Sequence, residues 1–194
     1  CWARRLRMVR LFARHHSGVE PGTEVPPQGL LPYRYQRRSP YIYNDEEISR
    51  LLEAAGRLKS ANRLRALTYS TLFGLIAITG MRMSEPLTLD REDVDLTRGV
   101  LTVRLTKFGK SRLIPLHASA VRRLEKYNHA RDQVVRKPHS PSFFMSEQGT
   151  RLTHWAVGWT FVRLSHETGL RGPNDSHGPR VHDLRHTFAV KPLL

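Results

Sequence analysis

The segment from Arg63 to Thr79 is the feature that most constrains how this chain folds. It contains the nearly unbroken apolar run Leu72-Phe73-Gly74-Leu75-Ile76-Ala77-Ile78 and stops at Gly80, a residue type that often ends helices in a left-handed conformation. The run is too short to span a bilayer, so it predicts a helix buried among other elements. Because 39% of the 194 residues are apolar, the chain can supply a sizeable core around that helix.

The charge of the chain indicates its partner. There are 32 Lys and Arg against 17 Asp and Glu, a formal net charge of +15, which favours a polyanion such as nucleic acid. A basic ribosomal-type protein and an RNA-binding protein share this property and stay open as alternatives. We expect double-stranded DNA as partner, and neither a membrane nor a small-molecule substrate.

Cysteine usage bears on the compartment. The single cysteine, Cys1, excludes a disulfide framework and any Cys-based zinc module within the chain. This usage favours a reducing compartment, and we therefore expect a cytoplasmic protein associated with DNA.

Around the apolar helix the pattern predicts a mainly helical α+β domain with a small three-stranded antiparallel sheet. Asn44 followed by Glu47 is a capping-box signature that opens the first helix of this domain. A strand–turn–strand–turn–strand pattern follows, with alternating apolar residues and Gly-containing turns. The predicted elements are helices at 44–55, 63–79 and 84–89, strands at 94–96, 100–105 and 111–115, and helices at 118–135, at 154–168 and from 181.

The chain divides into three parts by composition. Residues 1–16 contain a basic helix with Trp2, Val9 and Ala13 at helical spacing. We interpret it as the last helix of a preceding domain, with an organelle transit peptide as the alternative. Residues 17–43 form a Pro- and Gly-rich linker, whose cations either follow a nucleic-acid backbone or are simply solvated. Residues 44–194 form the compact domain.

Arg82 lies just beyond the apolar helix and Gly80. One explanation is a surface ion pair with Glu85, three residues on, which would contribute little. The other is catalytic, because a guanidinium on a stiff, buried helix is preorganised to stabilise developing negative charge.

His182, Arg185 and His186 have the spacing i, i+3 and i+4, so a helix places them on one face. Arg holds two phosphate oxygens in its planar fork and His moves protons near neutral pH, although a solvated basic face would look the same. Leu184 and Phe188 are expected to form a separate stripe facing the core. A zinc site on the two histidines would need further ligands, and we expect no metal.

Lys107 begins the second turn of the sheet and lies close in sequence to three other cations, Arg104, Lys110 and Arg112. Like charges lower the pKa of a lysine toward the range in which it donates a proton at neutral pH. A hairpin tip can also enter a DNA groove. Most lysines in such turns are merely solvated.

Three sequence motifs, taken in their order along the chain, resemble those of a known protein family. They are Thr79-Gly80-x-Arg82-x-Ser84-Glu85, the hairpin from Thr106 to Leu116, and His182-Asp183-Leu184-Arg185-His186-Thr187-Phe188-Ala189. Over about residues 44–190 the chain resembles the catalytic domain of the phage-integrase-type tyrosine recombinases. The resemblance implies DNA integration or site-specific recombination, a fold of that kind, and other recombinase protomers as partners.

The resemblance also implies roles for individual residues. Arg82 and Arg185 would bind the scissile phosphate, Lys107 would protonate the departing 5′ oxygen, and His182 would support acid–base chemistry. His186 and Glu85 would be accessory, with Glu85 orienting Arg82, while Arg104, Lys110 and Arg112 would contact DNA. No metal or nucleotide cofactor is implied, because the arginines supply the positive charge.

The nucleophile of the family is missing from the expected place, since no tyrosine follows Tyr127. We therefore expect a truncated remnant that binds DNA without cleaving it alone. In some yeast members of the family the tyrosine is donated in trans, which would restore activity. The alternative is a non-catalytic DNA-binding protein that uses the same basic cleft.

Overall fold

The structure, a computed structural model, describes residues 2–31, 39–104, 111–175 and 177–191. The chain forms two compact units, Cys1–Ser39 and Pro40–Leu194. The helices are α1 (Trp2–His16), α2 (Asp45–Gly56), α3 (Leu64–Thr79), α4 (Ser84–Thr88), α5 (Ala118–Val134), α6 (His154–Glu167) and α7 (Val181–Val190). The strands are β1 (Val94–Asp95), β2 (Val100–Val103) and β3 (Arg112–Pro115), preceded by a short 3₁₀ turn at Arg91–Asp93.

The first unit consists of α1 and the segment that folds back on it. Arg10 donates from Nε to the carbonyl of Pro26 at 2.8 Å and from Nη2 to that of Pro27 at 2.6 Å. The predicted helix is confirmed, but its apolar residues do not form a buried stripe. Ala13 is buried, whereas the side chains of Trp2 and Val9 are exposed, because this small unit offers little surface to cover them.

The second unit is built around α3. Its side chains Leu72, Phe73 and Ile76 are fully buried, and α2, α5 and α7 pack against it. The prediction of a buried central helix is confirmed. Gly80 ends the helix with φ +61°, the left-handed conformation expected of it.

The sheet is the predicted antiparallel meander in the order β1-β2-β3. Val94 pairs with Leu101 and Leu101 pairs with Ile114, so one register runs across all three strands. The turn between β2 and β3, including Lys107 and Lys110, lies outside the described residues.

Helix caps set the bounds of the other elements. The Asn44 side chain accepts from the Glu47 N–H at 2.8 Å and the Glu47 carboxylate accepts from the Asn44 N–H at 2.9 Å, which confirms the capping box. Thr153 caps α6 by a single hydrogen bond, which its side chain accepts from the Ala156 N–H.

One prediction about the core is wrong. Leu184 of α7 is buried, but Phe188 is 42% exposed. The Phe188 ring lies over Gly80, where the missing side chain leaves room for it, so it covers the end of α3 instead of entering the core.

Candidate functional site

The site begins at the turn between α3 and α4, where Glu85 accepts hydrogen bonds from Arg82. The Arg82 backbone N–H donates to Glu85 Oε2 at 2.7 Å, and Arg82 Nη1 donates to Glu85 Oε1 at 3.0 Å. The Glu85 side chain is only 7% exposed, while that of Arg82 is 41% exposed. The pair is thus anchored at a buried carboxylate, and the guanidinium retains an open surface.

Arg112 of β3 completes this cluster. It donates from Nη1 to Glu85 Oε1 at 3.0 Å and from Nη2 to Glu85 Oε2 at 2.7 Å, a bidentate arrangement. Burial raises the pKa of Glu85, but the hydrogen bonds from Arg112 and Arg82 outweigh it and hold the pKa below its ordinary value. Arg112, predicted to contact DNA, therefore binds the carboxylate that also orients Arg82.

Helix α7 brings the second arginine to the same turn. Arg185 Nη1 donates to the carbonyl of Gly80, across 105 positions of sequence. Burial and the nearby positive charge of Arg82 lower the pKa of Arg185. Arg82 and Arg185 thus interact electrostatically although they belong to separate elements; Glu85 offsets part of their repulsion, and a bound anion would offset more of it.

The histidines of α7 lie beside these arginines. The rings of His182 and His186 are 4.8 Å apart between centroids and nearly perpendicular. Burial, His186 and Arg185 all lower the pKa of His182, so the neutral imidazole is the dominant form at neutral pH. The predicted placement of His182, Arg185 and His186 on one helix is confirmed.

The start of α7 is held by residues that the sequence did not single out. Asp183, which is buried, accepts from the Arg180 backbone at 2.9 Å and from the Arg180 side chain at 3.0 Å. Arg171 donates to the carbonyl of Pro179 at 2.6 Å. The i, i+3 spacing of Arg180 and Asp183 was visible in the sequence, but the contact of Arg171 depends on tertiary folding.

A cavity of about 540 Å³ opens at this site. Among its lining residues are Arg82, His154, Arg171, Arg180 and His182. The lining combines apolar side chains such as Phe161 and Val162 with these cations, a composition suited to an anionic group attached to a larger ligand.

The remaining predicted residues divide between the described and undescribed parts of the chain. Arg104 pairs with Asp93, and with Glu92 at 3.3 Å, and its side chain stays 54% exposed. Lys107 and Lys110 lie outside the described residues. Among the residues described, no group of three or more His, Cys, Asp or Glu side chains is arranged to hold a metal ion.

We expect His186→Ala to raise the pKa of His182 part of the way toward its ordinary value of 6.5, because one source of positive charge is removed while burial persists. The measurement is an NMR titration of the His182 ring protons, with His129→Ala on α5 as the control. An unchanged His182 pKa would show that the two imidazoles do not interact.

Comparison with known proteins agrees with this geometry. The sequence model of the Phage integrase family matches residues 42–191. The chain therefore belongs to the phage integrase family, the tyrosine recombinases.

Individual relatives are longer than this chain. The integrase/recombinase homologue y4rB of Sinorhizobium fredii (strain NBRC 101917 / NGR234) is 46% identical over 197 residues, a match that covers all of this chain and 63% of that protein. The chain thus spans about three fifths of the length of this relative.

Solved structures share the fold. The XerH site-specific recombinase bound to palindromic difH substrate, a post-cleavage complex, matches 78% of this chain and 41% of its own chain, with 28% identity and a TM-score of 0.60. A lambda integrase dimer bound to a COC′ core site matches 95% of this chain and 49% of its own, with 19% identity and a TM-score of 0.64. The prediction of a mainly helical tyrosine-recombinase catalytic fold with a small sheet is confirmed.

Proposed function

We propose that residues 44–194 form the DNA-cleaving catalytic domain of a site-specific recombinase, with a phosphodiester of double-stranded DNA as substrate. The observation that carries this proposal is the convergence of Arg82 and Arg185. Arg82 is held by Glu85 and Arg185 by the Gly80 carbonyl, and burial together with the charge of Arg82 lowers the pKa of Arg185. A phosphate between the two guanidinium groups would relieve their repulsion and receive donors from both sides.

The chemistry that follows is transfer of a phosphoryl group between oxygens. A tyrosine hydroxyl attacks phosphorus, loses its proton and forms a 3′-phosphotyrosyl bond, while the bond to the 5′ oxygen breaks. Arg82 and Arg185 stabilise the extra negative charge of the transition state. Lys107 gives a proton to the departing 5′ oxygen, and His182, neutral at the start, accepts and returns protons on the attacking side.

We also propose that these 194 residues form no covalent bond to DNA through their own tyrosines. Tyr43 and Tyr127 are buried, and burial raises the pKa of both hydroxyls. Tyr69 is 5% exposed. The Tyr41 hydroxyl donates to Glu47 at 2.5 Å, and this bond raises its pKa. The tyrosines of the described residues are thus poor nucleophiles; Tyr33 and Tyr35 lie outside those residues.

The partners we propose are duplex DNA and other recombinase protomers, one of which would supply the tyrosine. The solved relatives support this, since one is a complex with its DNA substrate and another is a dimer on a core site. No helix in the described part of the chain is long and apolar enough to cross a membrane. We place the protein in the cytoplasm. Its single cysteine suits a reducing compartment, and its net charge of +15 suits a nucleic-acid partner.

The test uses a nicked suicide substrate, a duplex in which cleavage becomes irreversible. We expect the chain to bind the duplex with an affinity that falls steeply as salt rises, because basic side chains displace counterions from phosphates. No protein–DNA band should survive denaturation. The control adds a full-length homologue that keeps its tyrosine but lacks the arginine that corresponds to Arg185, so that it cannot cleave by itself. A covalent band should then appear if the tyrosine is donated in trans to the site of this chain.

A covalent band formed by the chain alone would contradict the proposal about its tyrosines. The alternative, a non-catalytic protein that occupies DNA through the same cleft, is favoured by the burial of Tyr43, Tyr69 and Tyr127. It predicts that no homologue restores cleavage, whereas the proposed function predicts restoration that Arg185→Ala abolishes.

A further inference from the structure

Tyr43 is the last residue of the predicted linker, yet its side chain is 1% exposed within the second unit. It stands directly before Asn44, the residue that caps α2, so the capping box fixes the backbone next to it. Its ring packs edge-on against that of Tyr41, with centroids 5.0 Å apart. Tyr43 is therefore anchored at the start of α2.

From this position Tyr43 binds α7 at two points. Its hydroxyl donates to the carbonyl oxygen of Arg180, the N-cap residue of α7, at 3.1 Å. Its backbone N–H donates to Oγ1 of Thr187, in the second half of the helix, at 2.9 Å. About two helical turns, or about 10 Å along the axis, separate these acceptors. Two contacts at this separation restrain both sliding and tilting of α7.

The contact at Thr187 lies on the buried side of α7. Thr187 is 1% exposed, and its hydroxyl also donates to the carbonyl of Asp183 at 2.9 Å. Arg185 comes two positions before Thr187 and therefore lies about 200° around the helix from it. Tyr43 thus holds α7 from the side opposite to the one that carries Arg185.

Tyr43 can influence phosphate binding only through the groups that it contacts. Its side chain is buried too deeply to reach DNA. Burial raises the pKa of its hydroxyl, and the negative charge of Asp183 raises the pKa further, so the group stays neutral and remains a donor. An effect of this uncharged side chain on DNA affinity would therefore pass through α7.

Arg185 depends on the position of α7 for its own contact. Its Nη1 donates to the carbonyl of Gly80, and the ring of Phe188, about one turn further along α7, also lies against Gly80. Groups that bind a phosphate in a catalytic site must be held within about 0.5 Å of the productive geometry. A helix that can slide or tilt loses this precision even when it stays folded.

We propose that Tyr43 is a positioning residue of the phosphate site, which holds α7 so that Arg185 and His182 face the bound phosphate. Tyr43 acts through Arg180 and Thr187 and does not touch the substrate. This inference rests on the proposed function, and it assigns to the site a residue that is not among those lining its cavity.

The experiment measures duplex affinity over a range of salt concentrations for the full chain and for Tyr43→Phe, which loses the hydroxyl and keeps the ring. Binding should weaken about fivefold, because one of the two hydrogen bonds that hold α7 is lost. The salt dependence should also fall, by up to about one phosphate contact. Tyrosine and phenylalanine are both uncharged here, so a merely structural role of Tyr43 would leave the salt dependence unchanged.

A second comparison, with Arg185→Ala as the background, identifies the residue through which Tyr43 acts. In that background Tyr43→Phe should weaken binding by less than about twofold, because the arginine that it positions is already gone.

Tyr127→Phe is the matched control. Tyr127 is also fully buried, but it belongs to α5 and its hydroxyl accepts from the Met145 N–H at 3.1 Å, in the segment between α5 and α6. This variant should bind duplex with the affinity and the salt dependence of the parent chain. Thermal unfolding followed by circular dichroism verifies that each variant folds.

Thr187 supplies a second pair of variants for the other contact. Thr187→Ser keeps the hydroxyl that accepts from the Tyr43 N–H and should bind duplex like the parent chain. Thr187→Val removes that hydroxyl at similar size and should weaken binding at least as much as Tyr43→Phe.

A measurement without DNA separates the inference from the proposed function. Gly80 touches both Arg185 and Phe188 of α7, so the NMR resonance of its carbonyl carbon reports the position of that helix. The resonance should move in Tyr43→Phe and stay in place in Tyr127→Phe.

Two results would overturn the inference while leaving the proposed function intact. In one, Tyr43→Phe changes neither the affinity, nor the salt dependence, nor the Gly80 resonance. In the other, it weakens binding equally in the parent and Arg185→Ala backgrounds with unchanged salt dependence, so Tyr43 stabilises the domain without positioning Arg185. Absence of any DNA binding, with a Gly80 resonance that moves as expected, would instead contradict the proposed function and support the positioning of α7 by Tyr43.

Discussion

Glu85→Gln is expected to lower the free energy of unfolding by about 3 kcal/mol, the lower end of the range for removing one partner of a buried ion pair. The lower end applies because the side chains of Arg82 and Arg112 are 41% and 37% exposed. Water can therefore solvate their charges when the carboxylate is removed. Urea unfolding at neutral pH measures the change. Glu92→Gln is the control, since the Glu92 side chain, 74% exposed, makes a surface pair with Arg104.

The pH dependence identifies the cause of that loss. The folded-state pKa of Glu85 lies below its ordinary value of 4.5, so its stabilisation is complete above 4.5 and is lost as the pH falls through the lower folded value. The stability difference between the parent chain and Glu85→Gln should therefore shrink as the pH falls below about 4.5. A difference that is independent of pH would contradict an ionic role for Glu85.

Gly80→Ala is the second substitution with a large expected effect, about 2–4 kcal/mol of unfolding free energy. Part of it comes from the backbone, because φ at this position is +61°. The rest comes from a clash, since a Cβ built at this position would lie 2.3 Å from Cδ1 of Phe188. Moving Phe188 disturbs α7 and with it Arg185, so DNA affinity should fall as well.

Two companion variants separate the two costs. Gly169→Ala adds a Cβ at φ +74° with no atom within 4 Å, so it should show the backbone cost alone. Gly80→Ala combined with Phe188→Ala should recover the part due to the clash when compared with Phe188→Ala alone. If Gly80→Ala costs no more than Gly169→Ala, the ring of Phe188 does not constrain this turn.

The sequence was sufficient to predict the elements whose ends carry local signals. The capping box at Asn44, the left-handed Gly80 and the alternation in the strands depend on neighbours a few residues apart, and each was confirmed. The Arg82–Glu85 pair also depends only on local spacing, because its two residues are three positions apart. Local spacing fixes which atoms can meet, so these contacts required no knowledge of the tertiary fold.

Contacts across long separations were harder to predict. Arg112 has a basic side chain on a strand, which is equally consistent with contact to DNA, and only the packing of β3 against the α4 turn brings it to Glu85. Phe188 was assigned to the core because it lies four residues after Leu184, but the empty space over Gly80 determines its position. The contacts of Tyr43 with α7 likewise join residues that lie 137 and 144 positions apart.

The central claim is that Arg82 and Arg185 bind the same phosphate, and a double-mutant cycle on duplex affinity tests it most directly. Each single alanine variant should weaken binding and reduce the salt dependence by about one phosphate contact. The Arg82→Ala, Arg185→Ala double variant should lose about 1 kcal/mol less than the sum of the single losses, because either substitution already frees the shared phosphate. Arg57→Ala, at an exposed position after α2, is the control for charge alone. Strictly additive losses, or losses no larger than that of Arg57→Ala, would contradict a shared phosphate site.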